Sequence, residues 1–211
     1  MRTLGISILL LASAGAGLAQ QWELGGAGGA GFLSNVSVSS PAGAATAGFQ
    51  NGFAAGAFAG QNLYPHLSGE LHYAYLQSNL QIKSANSSGT FSGNAHAIHY
   101  DLLLHTSRRG SRTQYFAALG GGLKVFRGTG QPAAFLPMSQ FGYFTQTQAM
   151  KPMASVGAGM KHSLSPRMNL RVEFRDYITA FPTQLIAPAP GAKYGALLHD
   201  FVPMVGVSYV F

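Results

Sequence analysis

The sequence has 211 residues, of which 13 are Lys or Arg, 6 are Asp or Glu and none is Cys. Only 9% of the residues are charged, although the hydrophobic fraction of 47% is ordinary; a typical soluble domain has roughly 25% charged residues. The lack of Cys excludes disulfides and Cys-ligated metals, and the abundance of apolar residues argues against charge-driven disorder. Residues 24–69 contain no Asp, Glu, Lys or Arg, so we do not expect a domain that is surrounded by water on all sides.

The N-terminus has the features of a secretory signal peptide. Arg2 supplies a positive charge, Leu4 to Ala12 form a short apolar core, and Gly17-Leu18-Ala19 offers small residues for cleavage. The apolar core is too short to span a bilayer comfortably, so we predict a signal peptide at residues 1–19, cleaved after Ala19. Residues 20–211 then form a single domain, in which no run of roughly 20 apolar residues predicts a transmembrane helix.

Apolar and polar residues alternate through most of this domain. In residues 170–175, for example, three apolar residues alternate with Arg171, Glu173 and Arg175. A period of two predicts strands that each have one apolar and one polar face. Turn residues divide the chain into eight predicted strands, at residues 21–33, 44–61, 67–83, 93–105, 113–127, 147–164, 168–179 and 199–211.

The connections between the predicted strands alternate in length. Those at residues 62–66, 106–112 and 165–167 are short. Longer connections occupy residues 34–43, 84–92, 128–146 and 180–198. Short turns at one end and long loops at the other are typical of bacterial outer-membrane barrels. We therefore predict an all-β fold, an antiparallel up-and-down transmembrane β-barrel of about eight strands. In a barrel of this size, the side chains that point inward just fill the interior.

Eight ionisable residues share the strand face opposite the aromatic residues. They are Glu70, His72, His99, Asp101, Lys161, Arg171, Glu173 and Arg175. A soluble barrel, such as a lipocalin-like ligand carrier, turns its apolar faces inward, whereas a membrane barrel turns them to lipid. Because an Arg or Lys at the bilayer centre costs roughly 2–4 kcal/mol, we predict a lumen charge network that plugs the barrel and holds its register. Proton-transfer catalysis by these carboxylates and histidines is the less favoured alternative.

Three segments resemble a known family. The final strand places Pro203, Val205, Val207, Tyr209 and the terminal Phe211 on one face. This pattern resembles the C-terminal signature that the barrel-assembly machinery recognises, with Val205, Val207, Tyr209 and Phe211 as the assembly signal. Residues 22–26 and 171–177 are similar to the first and seventh strands of the OmpA-type outer-membrane barrel domain. The resemblance covers the whole mature chain and implies a bacterial outer-membrane location without an added peptidoglycan-binding domain.

Two glycine patterns have structural explanations. The segment Gly26 to Gly31 has the spacing of a dinucleotide-binding loop, but no helix follows it, and that motif needs a helix N-terminus for the phosphates. We read it as strand glycine and predict no cofactor. Gly48, Gly52, Gly56 and Gly60 share one face of the second predicted strand, which predicts a slim inner wall that leaves room for bulky neighbours.

The barrel fold leaves several functions open. We favour a non-enzymatic protein with a plugged polar lumen, which supports the membrane or contacts a host, matrix or other extracellular ligand through its loops. The first alternative is an enzyme of the lipid A acylase or deacylase type, with His199 and Asp200 at the barrel rim as the candidate residues. A narrow channel is less favoured, since about eight strands leave little water-filled space. No catalytic residues are assigned.

Metal and nucleic-acid sites are not expected. His96 and His99 are close in sequence but face opposite ways on a strand, so no metal site is predicted. Four basic residues concentrate at the short-turn end, namely Arg108, Arg109, Arg112 and Arg167. They are not interleaved with the stacking aromatics of nucleic-acid sites, and solvation or anionic lipid headgroups explain them better.

The third long connection is rich in aromatic residues. Phe135 to Met138, Phe141, Tyr143 and Phe144 form either an interfacial girdle or an adhesive extracellular surface, two readings that we weigh evenly. The expected partners are outer-membrane lipids, lipopolysaccharide and the barrel-assembly machinery, and we expect a monomer.

Overall fold

A computed structural model describes residues 22–108, 110–131 and 138–211. The predicted signal peptide, Arg109 and residues 135–137 lie outside these ranges. The described chain is built from strands and turns. The described residues contain no helix that is long and apolar enough to cross a membrane.

The strands are numbered in chain order. The first eight are β1 (Trp22–Leu33), β2 (Asn35–Ser40), β3 (Gly43–Phe49), β4 (Gly52–Tyr64), β5 (Leu67–Gln77), β6 (Leu80–Lys83), β7 (Ser88–Phe91) and β8 (Gly93–His105). The remainder are β9 (Thr113–Gly128), β10 (Gly142–Phe144), β11 (Gln148–Ser165), β12 (Met168–Ala180), β13 (Ile186–Pro188), β14 (Lys193–Tyr194) and β15 (Leu197–Val210).

Eight strands form a closed antiparallel barrel. Its order around the wall is β1-β15-β12-β11-β9-β8-β5-β4, so each barrel strand pairs with the next one along the chain. The first and last strands close the wall, with Glu23 opposite Val210 and Leu33 opposite Asp200. The prediction of an all-β, up-and-down, eight-stranded barrel is confirmed. Closure gives the backbone of every barrel strand a partner on both sides, as a membrane requires.

Two predicted strands are each divided in the structure. The strand predicted at 44–61 separates into β3 and β4, and the one at 67–83 separates into β5 and β6. The breaks are aligned, since the Gln50 N–H donates to the Asn79 carbonyl at 2.8 Å. The Asn51 side chain also accepts a hydrogen bond from the Leu33 N–H at 2.9 Å. The alternation of apolar residues continues through both breaks, so sequence reading could not separate barrel from loop strands.

The long connections fold into two small sheets at one end of the barrel. One has five strands in the order β14-β2-β3-β6-β7, and the other pairs β10 with β13. We call these seven strands the loop cap. Their inner faces bury Val38, Ala47 and Ile82, which are at most 1% exposed. The three short connections lie at the opposite end, as predicted.

The surface of the barrel is apolar and its interior is polar. Outward-facing side chains include Leu24, Phe53, Leu71, Ile98, Tyr100, Leu119, Leu123, Val172, Phe174 and Val205, all exposed. Buried positions on the same strands hold acids, bases and histidines. This distribution is the reverse of a water-soluble barrel and matches the apolar band of a transmembrane one.

Candidate functional site in the barrel lumen

The structure places all eight ionisable residues predicted for the polar face inside the barrel. Each is at most 6% exposed, a set that comprises Glu70, His72, His99, Asp101, Lys161, Arg171, Glu173 and Arg175. They converge because alternate residues of β5, β8, β11 and β12 point to the barrel axis.

Two arginines on β12 organise the centre of the lumen. Arg171 donates to both oxygens of Glu70, at 2.5 and 2.8 Å, and to Glu173 at 2.8 Å. Arg175 donates to Asp101 at 2.6 Å and to Glu173 at 3.2 Å. The bonds to Glu70 and Asp101 cross the barrel from β12 to β5 and β8, and paired Arg–carboxylate geometry of this kind is both strong and directional.

Small and aromatic residues of β4 shape the space around these arginines. The Phe58 ring lies 4.1 Å from the guanidinium carbon of Arg171, a cation–π distance. A Cβ at Gly60 would lie 3.7 Å from a Glu70 oxygen, and one at Gly56 would lie 3.6 Å from the His72 ring. The inner-wall prediction therefore fits Gly56 and Gly60 but is wrong for Gly48, which belongs to β3 in the loop cap.

Two histidines link the carboxylates across β5 and β8. His72 lies opposite His99 in the strand register, and His72 Nδ1 is 3.1 Å from His99 Nε2. His99 Nδ1 lies 2.9 Å from Asp101, and His72 Nε2 lies 3.5 Å from Glu173. Sequence reasoning missed this contact because it compared His99 only with His96, which faces outward and bonds to Tyr73 Oη at 2.8 Å.

Two further ion pairs extend the network along the axis. Towards the short-turn end, Lys161 donates to Glu23 at 2.6 Å, and the Ser208 hydroxyl donates to the same carboxylate at 2.6 Å. Towards the loop cap, Lys124 pairs with Asp200. Glu23 and Lys124 could have been found, because both stand at inward positions of correctly predicted strands.

The network ends beneath an apolar layer at the loop cap. Phe49 and Phe126 stack with their ring centroids 5.1 Å apart, and Lys124 Nζ lies 4.8 Å from the Phe126 ring. Leu76 and Leu198 are fully buried in the same cluster. Ion pairs and apolar side chains thus fill the lumen in successive layers.

A metal site is not favoured by the donors present. Ligand atoms of Glu70, His72 and Glu173 lie within 4.8 Å of one another. However, Glu70 and Glu173 already accept hydrogen bonds from Arg171 and Arg175, so a cation there would compete with two guanidinium groups. The arrangement is better suited to bracing the barrel than to holding an ion.

The prediction that His199 and Asp200 form one chemical site is wrong. The two are neighbours on β15, and adjacent strand residues point to opposite faces. Asp200 is buried in the lumen beside Lys124. His199 is exposed on the outer wall, where its Nδ1 lies 2.8 Å from an Asp176 oxygen. Ser34 lies across from it, and the Ser34 hydroxyl oxygen accepts a hydrogen bond from the His199 N–H at 2.8 Å.

The described buried residues of the aromatic connection form neither an interfacial girdle nor an adhesive extracellular surface. Met138, Phe141 and Phe144 are at most 7% exposed and belong to the core of the loop cap. Tyr143 alternates with them and is 40% exposed. The described part of the segment therefore belongs mainly to a local apolar core, with Phe144 on the inward face of β10.

The predicted assembly signal lies on the outer wall of β15 and just after it. Val205, Val207, Tyr209 and Phe211 are 38–55% exposed. At the same end, Arg167 is exposed and donates to the Tyr209 hydroxyl at 3.2 Å. The four side chains are thus accessible at the outer surface, and their recognition by the assembly machinery stays a prediction.

Fold and lumen together define an eight-stranded barrel of the outer-membrane class, which confirms the resemblance in fold. OprG, an outer-membrane protein from Pseudomonas aeruginosa, is 13% identical with a TM-score of 0.55, over 91% of this chain and 97% of that one. AlkL, solved in lipid bilayers, is 13% identical with a TM-score of 0.53, over 91% and 90%. Neisserial surface protein A is 12% identical with a TM-score of 0.50, over 90% and 97%. No family model and no curated protein matches the sequence.

Proposed function

We propose that this protein is a non-enzymatic barrel of the bacterial outer membrane, with a closed lumen and a surface-exposed loop cap. The observation that carries the proposal is the distribution of side chains, with an apolar outer wall around a braced ionic interior. Such a wall is stable only in a hydrocarbon environment. Lipopolysaccharide and other outer-membrane lipids are its expected neighbours, and the exposed face that ends at Phe211 is the proposed contact for the assembly machinery.

The filled lumen supports a structural role over a channel. Salt bridges cross the barrel at three levels, from Glu23 with Lys161, through the arginine cluster, to Lys124 with Asp200. Breaking a buried ion pair is expensive, so water and ions have no low-energy path through these layers. We expect the purified protein to give no steady conductance in planar bilayers.

The loop cap offers a surface suited to contacts outside the cell. On the face away from the core, Ser37 lies opposite Thr46, Thr46 opposite Lys83, and Lys83 opposite Ser88. All four side chains are exposed. The result is a row of hydroxyl groups with one positive charge, held on a sheet whose other face is anchored in an apolar core.

A cell-attachment assay tests the surface role. Cells that produce the protein should attach to wells coated with a basement-membrane matrix extract more than cells that do not produce it. The double variant Ser37→Glu/Thr46→Glu should reduce attachment, and Arg167→Gln at the other end should not. Equal attachment by producing and non-producing cells would contradict the role.

One observation favours a second candidate, an enzyme that hydrolyses lipid esters. Asp176 and His199 lie on the neighbouring strands β12 and β15 at the loop end of the barrel, and Ser34 lies beside them between β1 and β2. The His199–Asp176 contact of 2.8 Å is that of a general base with its orienting acid. The Ser34 hydroxyl contacts the main-chain N–H of His199, so the His199 ring would have to turn towards it before Ser34 could attack an ester carbonyl and pass its proton to the imidazole. The alcohol would leave with that proton, and water would release the acyl group as an acid.

Mass spectrometry of lipid A and phospholipids separates the two candidates. A hydrolase predicts species that lack an acyl chain in producing cells, abolished by His199→Ala and retained by His66→Ala at the short-turn end. Identical spectra with and without the protein would dismiss the enzyme and leave the non-enzymatic proposal intact.

A further inference from the structure

The outer wall along β9 is interrupted by a groove. Gly121 faces outward between Tyr100 on β8 and Ala154 on β11, its partners in register. Because Gly121 has no side chain, the neighbouring residues enclose an apolar groove of about 310 Å³. Apart from His96 and His99 at its edge and floor, its lining side chains are Leu71, Ile98, Tyr100, Leu123, Val125 and Met150.

A shallow, open recess lined by polar residues lies nearer the loop cap, between the end of β9 and the start of β11. It has about 330 Å³ and is lined by Arg127, Gly128, Thr129, Gln146, Thr147 and Gln148. Arg127 is exposed and stands six residues along β9 from Gly121, a distance of about 20 Å in a strand. Among the described residues, Arg127 forms no ion pair with a carboxylate.

The strand therefore carries an amphipathic site along its outer face. The apolar groove lies in the hydrocarbon band, and the recess with its free cation lies at the edge next to the loop cap. An acyl chain matches the first, and an anionic headgroup matches the second, since Arg binds phosphate groups with directional hydrogen bonds. Asp176 and His199, the outward ionisable pair, lie on β12 and β15 instead.

We propose that β9 and its neighbours bind one anionic lipid of the outer leaflet, with its phosphate at Arg127 and one acyl chain in the groove over Gly121. This inference rests on the proposed membrane location. It differs from general lipid contact because it predicts a single retained molecule. The phosphate could belong to lipid A or to a phospholipid, and these two sources share the same chemistry.

The glycines of the wall supply a matched pair of variants. A Cβ at Gly121 would meet only the Met153 carbonyl oxygen, at 3.5 Å, and one at Gly28 on β1 would meet only the Ala54 carbonyl oxygen, at 3.9 Å. Leucine should therefore be tolerated at both positions. Gly121→Leu fills the groove, whereas Gly28→Leu adds the same side chain to another part of the wall.

Native mass spectrometry of the detergent-purified protein tests the site. The wild type should retain one anionic lipid, and Gly121→Leu and Arg127→Gln should each lower the occupied fraction at least fivefold. Gly28→Leu and Arg167→Gln should retain it. Refolding with either lipopolysaccharide or phosphatidylglycerol identifies the source of the phosphate. Equal retention by all variants, or none by the wild type, would overturn the site, while a heat-modifiable barrel in every sample would leave the proposed function standing.

Discussion

Arg171 and Arg175 show how a membrane barrel can hold charges in its interior. Their guanidinium groups have several N–H donors in a fixed plane, and together they contact Glu70, Asp101 and Glu173. Each carboxylate thus lies beside a cation, which offsets the cost of removing it from water. We expect the network to hold the register between strands that are distant in sequence.

Glu173, like Glu70, accepts hydrogen bonds from both arginines. Glu173→Ala should lower the free energy of unfolding by roughly 3–5 kcal/mol, because it removes one carboxylate partner from each of two buried guanidinium groups. Thermal or urea unfolding in detergent micelles measures the change. Asn86→Ala, at an exposed loop position, is the control, and equal unfolding of the two variants would show that the network does not stabilise the barrel.

Sequence patterns predict the inward placement of such residues, but not every contact among them. Alternation alone assigns Glu173 and Asp101 to the polar face, since it depends only on the period of a strand. The contact between His72 and His99 depends on the register of two strands separated by the loop that carries β6 and β7. Register of that kind follows from tertiary pairing, which a single sequence does not display.

At the scale of elements, the loop strands and barrel strands share the same alternation of apolar and polar residues. The loop strands bury the apolar face, whereas the barrel strands bury the polar face. Barrel strands place apolar residues outward, whereas β2, β3 and β6 place Val36, Ala47 and Ile82 inward on a common core. The loop cap therefore resembles the core of a small water-soluble sheet. Its apolar core is continuous with the apolar layer at Leu76 and Phe126 in the barrel, but the arginine cluster lies beyond that layer, so we expect the arginine cluster and the loop cap to respond separately to substitution.

Ile82→Asp tests this separation. The aspartate would place a charge in the apolar core of the loop cap and open its five-stranded sheet. Limited proteolysis should then cut the long connections faster than in the wild type, while the barrel keeps its resistance and its fast migration on cold gels. Loss of the folded barrel together with the cap would contradict the independence of the two parts.

Tyr194 makes the loop cap sensitive to alkaline pH. Its hydroxyl donates to the Phe141 carbonyl at 3.0 Å, and burial raises the pKa of this tyrosine from its ordinary value near 10 to about 12. The folded cap thus favours the protonated form, and its stability should fall as the pH rises from about 10 to 12. Amide hydrogen exchange in β10 and β14 should increase over that range, and Tyr194→Phe should remove this part of the pH dependence. An unchanged profile in the variant would be evidence against the assignment.

At the scale of the molecule, the sequence places apolar side chains on the outer wall of the barrel and polar side chains in its interior. Outward side chains meet hydrocarbon, inward side chains meet one another, and the closed wall leaves no strand edge in the membrane. Low overall charge follows from this plan, because charged residues are confined to the lumen and to the two ends. Fold class and the number of barrel strands were predictable for this reason, whereas the surface ligand depends on loop chemistry that alternation does not encode.

Heat-modifiability of the native protein tests the central claim most directly. Outer-membrane and periplasmic fractions are run on a cold detergent gel with and without boiling. The structure predicts a fast-migrating band in the unboiled outer-membrane fraction that boiling converts to a slower one, because a closed barrel stays compact in detergent. A single band in the soluble periplasmic fraction, unaffected by boiling, would contradict the membrane barrel and indicate a water-soluble ligand carrier.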